Sequence, residues 1–295
     1  AGFWIRDHAD PGRYTIDEVV AFSANTGIIE IAERIPADHL YRTFAAFGFG
    51  RKSEIGYPAE SRGLMPEVTT WSRLSRASFA LGQELTVTPL QVALAYAAIA
   101  NGGWLVEPSL VSWAEAEPSS KTSDGPCRER VRDRARADRL TAMLESVIEE
   151  GTGEEARVPG YRVAGKTGTA QRAVNGGFDA EHPVAWFSGF LPLPDPRVVI
   201  VVALENPRGD FWGSTTAAPV FARGRVLGAW TAEDLDDAGV DEVSLFLLGA
   251  CSCRVKALNP GWDLLMNIDW DEKLMEVEVA KDGAKEDTPA SPAPA

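Results

Sequence analysis

The sequence predicts an α+β fold, an antiparallel sheet with packed helices, and three observations lead there. Apolar residues recur at helical spacing in the first half, most cleanly as Leu140, Met143, Leu144, Val147 and Ile148. Two apolar strand-length runs, Val184–Leu191 and Arg197–Glu205, are joined by the proline-rich link Pro192-Leu193-Pro194-Asp195-Pro196, which reads as an antiparallel hairpin. A last helical stretch, Thr215–Trp230, then follows as a cover for the sheet. Helices and strands are segregated along the chain, as in α+β folds.

Taken in order, residues 1–15 hold Gly2 and Asp10-Pro11-Gly12 and read as loop with a turn. Thr15 before Ile16-Asp17-Glu18 is a helix cap with acids in the first turn, and the helix runs to about Ser23. Ile28, Ile31, Ala32 and Ile35 mark a second helix closed by Pro36, and Leu40–Phe47 a third that ends at Gly48. Residues 50–75 are loop-rich. Thr88 as cap and Pro89 at the first helical position open a helix over Leu90–Asn101, which is apolar almost all round and therefore buried; Gly102-Gly103 stops it. Pro118–Pro126 is polar and reads as a mobile loop. The amphipathic helix through Leu140–Ile148 is ended by Gly151-Thr152-Gly153. Ser244–Leu248 has the composition of a further strand, and Lys281–Ala295, rich in Pro, Ala, Lys and Glu, that of a disordered tail.

A chain of 295 residues with 45% hydrophobic content can build a sizeable core. Its net charge of −14 argues against nucleic acid as a partner. The charge is uneven: residues 231–295 carry fifteen Asp/Glu against five Lys/Arg, a net of −10, which leaves −4 for residues 1–230. The division expected is therefore a main domain over 1–230, a small acidic appendage over 231–280 and the tail over 281–295. Cys127, Cys251 and Cys253 form neither a disulfide framework nor a metal pattern. No apolar run is long enough to span a bilayer, and no cofactor or metal is implied.

The chemistry concentrates in Tyr161–Gln171, which reads Tyr-Arg-Val-Ala-Gly-Lys-Thr-Gly-Thr-Ala-Gln. In an extended strand Thr167 and Thr169 share one side and Lys166 and Gly168 the other. Two hydroxyls can donate to a carboxylate beside the positive Lys166, and Gly168 removes the bulk that would keep an added peptide strand away. The plainer reading is an ordinary strand with a surface lysine. The second candidate is Ser23-Ala24-Asn25, for which a helix cap is the plainer reading.

Ser23-Ala24-Asn25 and Lys166-Thr167-Gly168 match, in order, two of the three motifs shared by penicillin-binding proteins and class A β-lactamases. Several runs resemble the transpeptidase domain of class B penicillin-binding proteins, especially the division-type enzyme. They are Tyr14–Val20 leading into Ser23, Phe44–Gly50, Ser78–Gly103, Val163–Gln171 and Ser214–Phe221. The resemblance covers roughly residues 2–230 and is specific, because independent stretches agree in order and spacing.

That resemblance implies the penicillin-binding-protein/β-lactamase-like transpeptidase fold and a serine acyl transfer. A serine attacks the D-Ala-D-Ala end of a peptidoglycan stem peptide, D-Ala leaves, and an amine of a neighbouring stem peptide resolves the acyl-enzyme; β-lactams acylate the same serine. Ser23 would relay a proton to the leaving group, Lys166 would hydrogen-bond Ser23, and Asn25 would hold the substrate amide. Thr167 and Thr169 would bind the terminal carboxylate, with the Thr169 N–H as half of an oxyanion hole. Division proteins are implied as partners, and the periplasmic or extracytoplasmic face of the cell membrane as location.

One departure is large. The third motif, Ser-x-x-Lys, which carries the nucleophile, is absent: the residues three before the seven lysines are Phe49, Pro118, Val163, Cys253, Trp270, Glu278 and Asp282. The expectation is a chain lacking an N-terminal part, with the nucleophile, the first sheet strands and the membrane anchor in that part. The alternative is a non-catalytic binding or scaffold protein of the division machinery. Two further expectations follow. Arg197–Glu205, deprived of the family's preceding strands, should form an exposed sheet edge. The chain alone should not be acylated by penicillin, since nothing in the sequence shows Lys166 departing from an ordinary amine near pKa 10.4.

Overall fold

Thr15 opens the first helix, α1 (Ile16–Ala21), with a capping box: its hydroxyl accepts from the Glu18 N–H at 3.3 Å, and the Glu18 carboxylate accepts from the Thr15 N–H at 2.6 Å. The structure, a computed structural model, describes residues 5, 7, 9–108, 127–174, 177–207, 209–223, 242–251 and 254–257. Helices α2 (Asn25–Glu33) and α3 (Ala37–Ala46) follow as expected. A short helix, α4 (Ser75–Ala80), interrupts the loop-rich stretch. A second capping box, Thr88 with Gln91, and Pro89 in the first turn begin α5 (Pro89–Ala100).

Two short strands, β1 (Trp104–Val106) and β2 (Cys127–Arg130), pair antiparallel. The Asp133 side chain caps α6 (Arg134–Glu149). The main sheet consists of β3 (Ala164–Val174), β4 (Gly177–Leu191) and β5 (Val198–Glu205), then, beyond α7 (Ala217–Arg223), β6 (Glu242–Cys251) and β7 (Arg254–Ala257). Its order is β3-β4-β5-β6-β7, each neighbouring pair antiparallel.

The pleat of β5 divides the core in two. Val199 and Val201 face α5, against Leu94, Ala97 and Phe190. Ile200, Val202 and Leu204 face α7, against Phe187, Val220 and Phe221. The rings of Phe187 and Phe221 meet at 4.6 Å between centroids. Each fully buried phenylalanine contributes about 2–3 kcal/mol of hydrophobic stabilisation. Helix α5 is apolar on every side because it lies between the sheet and the α3 and β1 region, as its sequence predicts.

The sheet corrects one expectation. Strand β5 is not an edge: it pairs with β6 over eight positions, from Val198↔Gly249 to Glu205↔Glu242. A strand buried on both faces needs partners for its backbone groups on both sides, and β6, which contains the predicted Ser244–Leu248 strand, supplies one of them. Residues 242–251 and 254–257, within the stretch expected to be a separate acidic appendage, are thus members of the main sheet. The predicted 118–126 loop and 281–295 tail lie outside the described residues, as does the predicted continuation of the last helix past Arg223. Among the described residues no helix is long and apolar enough to cross a membrane.

Candidate active site

Strand β3 is a sheet edge, hydrogen-bonded to β4 alone among the described strands. Lys166, Thr167, Gly168 and Thr169 pair with Ser188, Phe187, Trp186 and Ala185, so their outer backbone edge is left for another strand. All four are half-buried, between fully buried Ala164 and Gly165 and buried Ala170. Gly165 is required by packing, because a Cβ there would lie 2.6 Å from the Phe187 ring. Gly168 is not: a Cβ would meet only the Trp186 Cβ, at an ordinary 3.4 Å.

Two further segments hold the threonines. Thr169 Oγ1 accepts from the Gly213 N–H at 3.1 Å. The loop before α7 can come this close only because residue 213 is glycine, since a Cβ would sit 2.2 Å from the Gly168 carbonyl oxygen and 2.4 Å from that of Trp186. Thr167 Oγ1 lies 2.8 Å from Thr152 Oγ1. Lys166 Nζ turns back on its neighbour and donates to the Thr167 carbonyl at 3.2 Å and to Thr167 Oγ1 at 3.3 Å.

The packing around the Lys166 amine strips its hydration, and this desolvation brings its pKa down to about 8. The sequence expectation of an ordinary amine is corrected accordingly. At pH 7 about a tenth of the lysines are neutral. Such a group can serve as a cation for a carboxylate and also exchange a proton near neutral pH.

Ser23 and Asn25 lie at the junction of α1 and α2. Ser23 is exposed and has a positive φ of 55°, a left-handed conformation that non-glycine residues adopt at a cost. It does not act as a helix cap. The N-cap of α2 is Ala24, without a side-chain bond, and the Thr26 N–H is satisfied by the Asp7 carboxylate at 3.1 Å. Asn25 is the first residue of α2 and is half-buried.

The structure does not join Ser23 to Lys166 by a hydrogen bond, contrary to expectation. The Lys166 amine is bonded to Thr167 instead. The two motifs are linked indirectly, through the turn after α6. The Thr152 N–H donates to the Ala21 carbonyl, two residues before Ser23, at 3.1 Å, while its hydroxyl meets Thr167. Gly151 permits this, as a Cβ would lie 2.0 Å from the Ala21 carbonyl oxygen. Asp17 of α1 and Arg139 of α6 add an ion pair at 2.6 Å between the same helices. In the sequence Gly151-Thr152-Gly153 reads as a helix stop alone, and Gly213 carries no local signal. The one signal available was a hydroxyl between two glycines.

An α+β fold with a Lys-Thr-Gly edge strand tied to a Ser-x-Asn turn defines a domain of the penicillin-binding transpeptidase class. The chain belongs to the penicillin binding protein transpeptidase domain family, whose match spans residues 2–224. It is 36% identical over 213 residues to the stage V sporulation protein D of Bacillus subtilis, covering 71% of this chain and 33% of that protein. It is 33% identical over 229 residues to the peptidoglycan D,D-transpeptidase FtsI of Escherichia coli, covering 77% of this chain and 37% of that protein. Among solved structures it resembles the transpeptidase domain of penicillin-binding protein 3 from Burkholderia pseudomallei, with a TM-score of 0.66 at 33% identity over 73% of this chain and 64% of that one. The ampicillin complex of penicillin-binding protein 3 from Mycobacterium tuberculosis gives a TM-score of 0.66 at 33% identity, covering 74% and 51%. The chain spans about a third of the length of the curated relatives it matches.

Proposed function

We propose that this chain provides the carboxylate-recognition side of a peptidoglycan D,D-transpeptidase acting in cell-wall synthesis and division, at the extracytoplasmic face of the cell membrane. The observation that carries the reading is the edge strand Lys166–Thr169, with two oriented hydroxyls, a desolvated lysine and an outer backbone that no described strand pairs. An extended stem peptide ending in D-Ala-D-Ala adds to β3, and its terminal carboxylate takes hydrogen bonds from Thr167 and Thr169 beside the Lys166 cation. The Thr169 N–H faces the carbonyl under attack. Ser23, held in its left-handed turn, and Asn25 flank the leaving amine and the substrate amide. A β-lactam, which carries a carboxylate next to its reactive amide, takes the same place. Peptidoglycan stem peptides and β-lactams are thus the ligands, and division proteins the partners.

The acylated nucleophile of this reaction belongs to a Ser-x-x-Lys motif, and the 295 residues contain none. This favours, as a second reading, a binding or scaffold role with the same ligands and no acyl transfer. The test is a fluorescent penicillin incubated with the chain. Saturable binding that competes with a D-Ala-D-Ala peptide and leaves no adduct after denaturing electrophoresis and intact-mass measurement is the expected result. Absence of saturable binding would refute the ligand class. A stoichiometric adduct on any serine would refute the assignment of roles.

A further inference from the structure

We infer that Thr152, in the turn after α6, is a positioning residue that aims the hydroxyl proton of Thr167 at a bound carboxylate. This rests on the carboxylate site proposed above.

The argument is a count of protons and lone pairs. A threonine hydroxyl offers one proton and two acceptor lone pairs. An ionised carboxylate only accepts, so Thr167 can bind one only by giving up that proton. An ammonium only donates, so the 3.3 Å contact from Lys166 Nζ occupies one lone pair of Thr167 Oγ1. Thr152 Oγ1 stands 2.8 Å away, where either hydroxyl could donate. Once Thr167 faces a carboxylate, Thr152 must be the donor. Both lone pairs of Thr167 are then filled, and its proton is left with no direction but outward. Without Thr152 the hydroxyl can turn inward and lose that aim.

Thr152 is itself well fixed. Its N–H is bonded to the Ala21 carbonyl at 3.1 Å, and the N–H of Gly153 after it donates to the Val147 carbonyl at 2.9 Å. A Cβ at Gly151 would strike Ala21, and one at Gly153 would lie 2.8 Å from Ile148 Cδ1. The hydroxyl is thus presented to Thr167 by backbone on both sides. A merely structural threonine would serve either rotor direction equally, whereas this one matters only for a ligand group that can do nothing but accept.

The test uses the full chain with two probes, a diacetylated lysyl-D-alanyl-D-alanine and the same peptide as its C-terminal carboxamide, titrated by NMR. The wild-type protein should prefer the carboxylate. Thr152→Val keeps the shape and the N–H and removes the donor; it should weaken carboxylate binding about fivefold and leave the carboxamide unchanged. Thr152→Ser should restore the wild-type preference. Should the valine variant misfold, Thr152→Ala, which retains the same backbone bond, replaces it with the same expectation. A wild-type preference that survives in Thr152→Val overturns the inference and leaves the proposed function standing. A wild-type protein indifferent to the two probes overturns the carboxylate site and this inference together.

Discussion

Replacing Lys166 by methionine should reverse its effect on stability between neutral and alkaline pH. Methionine keeps the length of the apolar stem and removes the amine. Desolvation lowers the Lys166 pKa from 10.5 to about 8, so the folded protein binds its proton less tightly than the unfolded chain. At about 1.4 kcal/mol per tenfold change in proton affinity, the difference corresponds to about 3 kcal/mol. Lys166 is half-buried, and solvent screening reduces the figure to about 2 kcal/mol. This cost is fully present below pH 8, where the amine is charged in both states. It fades as pH rises from about 8 to 10.5, because across that window the folded protein has released a proton that the unfolded chain still binds, and it is gone once both are neutral. The substitution also deletes the amine's two hydrogen bonds to Thr167, a loss of about 1 kcal/mol at any pH. The variant should therefore be about 1 kcal/mol more stable than wild type at pH 7 and somewhat less stable at pH 10.5. Urea unfolding of both proteins at pH 7, 9 and 10.5 measures this, with carboxylate binding expected to fall in the same variant. Equal destabilisation at all three pH values would refute the desolvation argument.

Two glycines give further tests. Gly151→Ala should detach α1 from the end of α6, because its Cβ would lie 2.0 Å from the Ala21 carbonyl oxygen; a loss of about 2–4 kcal/mol in denaturant unfolding is expected. Gly213→Ala should push the loop before α7 away from β3, through contacts of 2.2 and 2.4 Å with two carbonyl oxygens. It should cost about 1–3 kcal/mol and free Thr169 Oγ1 from its donor, with ligand affinity falling in a titration while helix content by circular dichroism is retained.

Much of this architecture is written locally. Thr15 with Glu18 and Thr88 with Gln91 announce two helix starts, since a capping hydroxyl and its reciprocal acceptor or donor lie three residues apart in sequence. The Lys-Thr-Gly-Thr strand is recognisable because its four residues act side by side. What could not be read depends on distant partners. Strand β2 (Cys-Arg-Glu-Arg) has no apolar alternation, and its pairing with β1 comes from tertiary placement. The contact between Thr152 and Thr167 crosses 15 residues that hold the 3-10 turn Glu154–Ala156 and the Val158–Tyr161 bridge, and the approach of Gly213 to Thr169 spans 44 residues. The lowered pKa of Lys166 likewise arises from surroundings that no local pattern encodes.

The pairing of β5 with β6 sets a timetable for synthesis. Glu205 leaves the ribosome 37 residues ahead of its partner Glu242. At about 5–20 residues per second, the run Val-Val-Ile-Val-Val-Ala-Leu, whose partners extend to Gly249, waits about 2–10 s with one row of amide and carbonyl groups unmatched. During that interval a neighbouring nascent chain offers the same row, and a chaperone that binds extended apolar peptide has its clearest target. Slowing translation between residues 206 and 242 lengthens the exposure, so the yield of native protein should depend on the codons of the segment that separates the two strands.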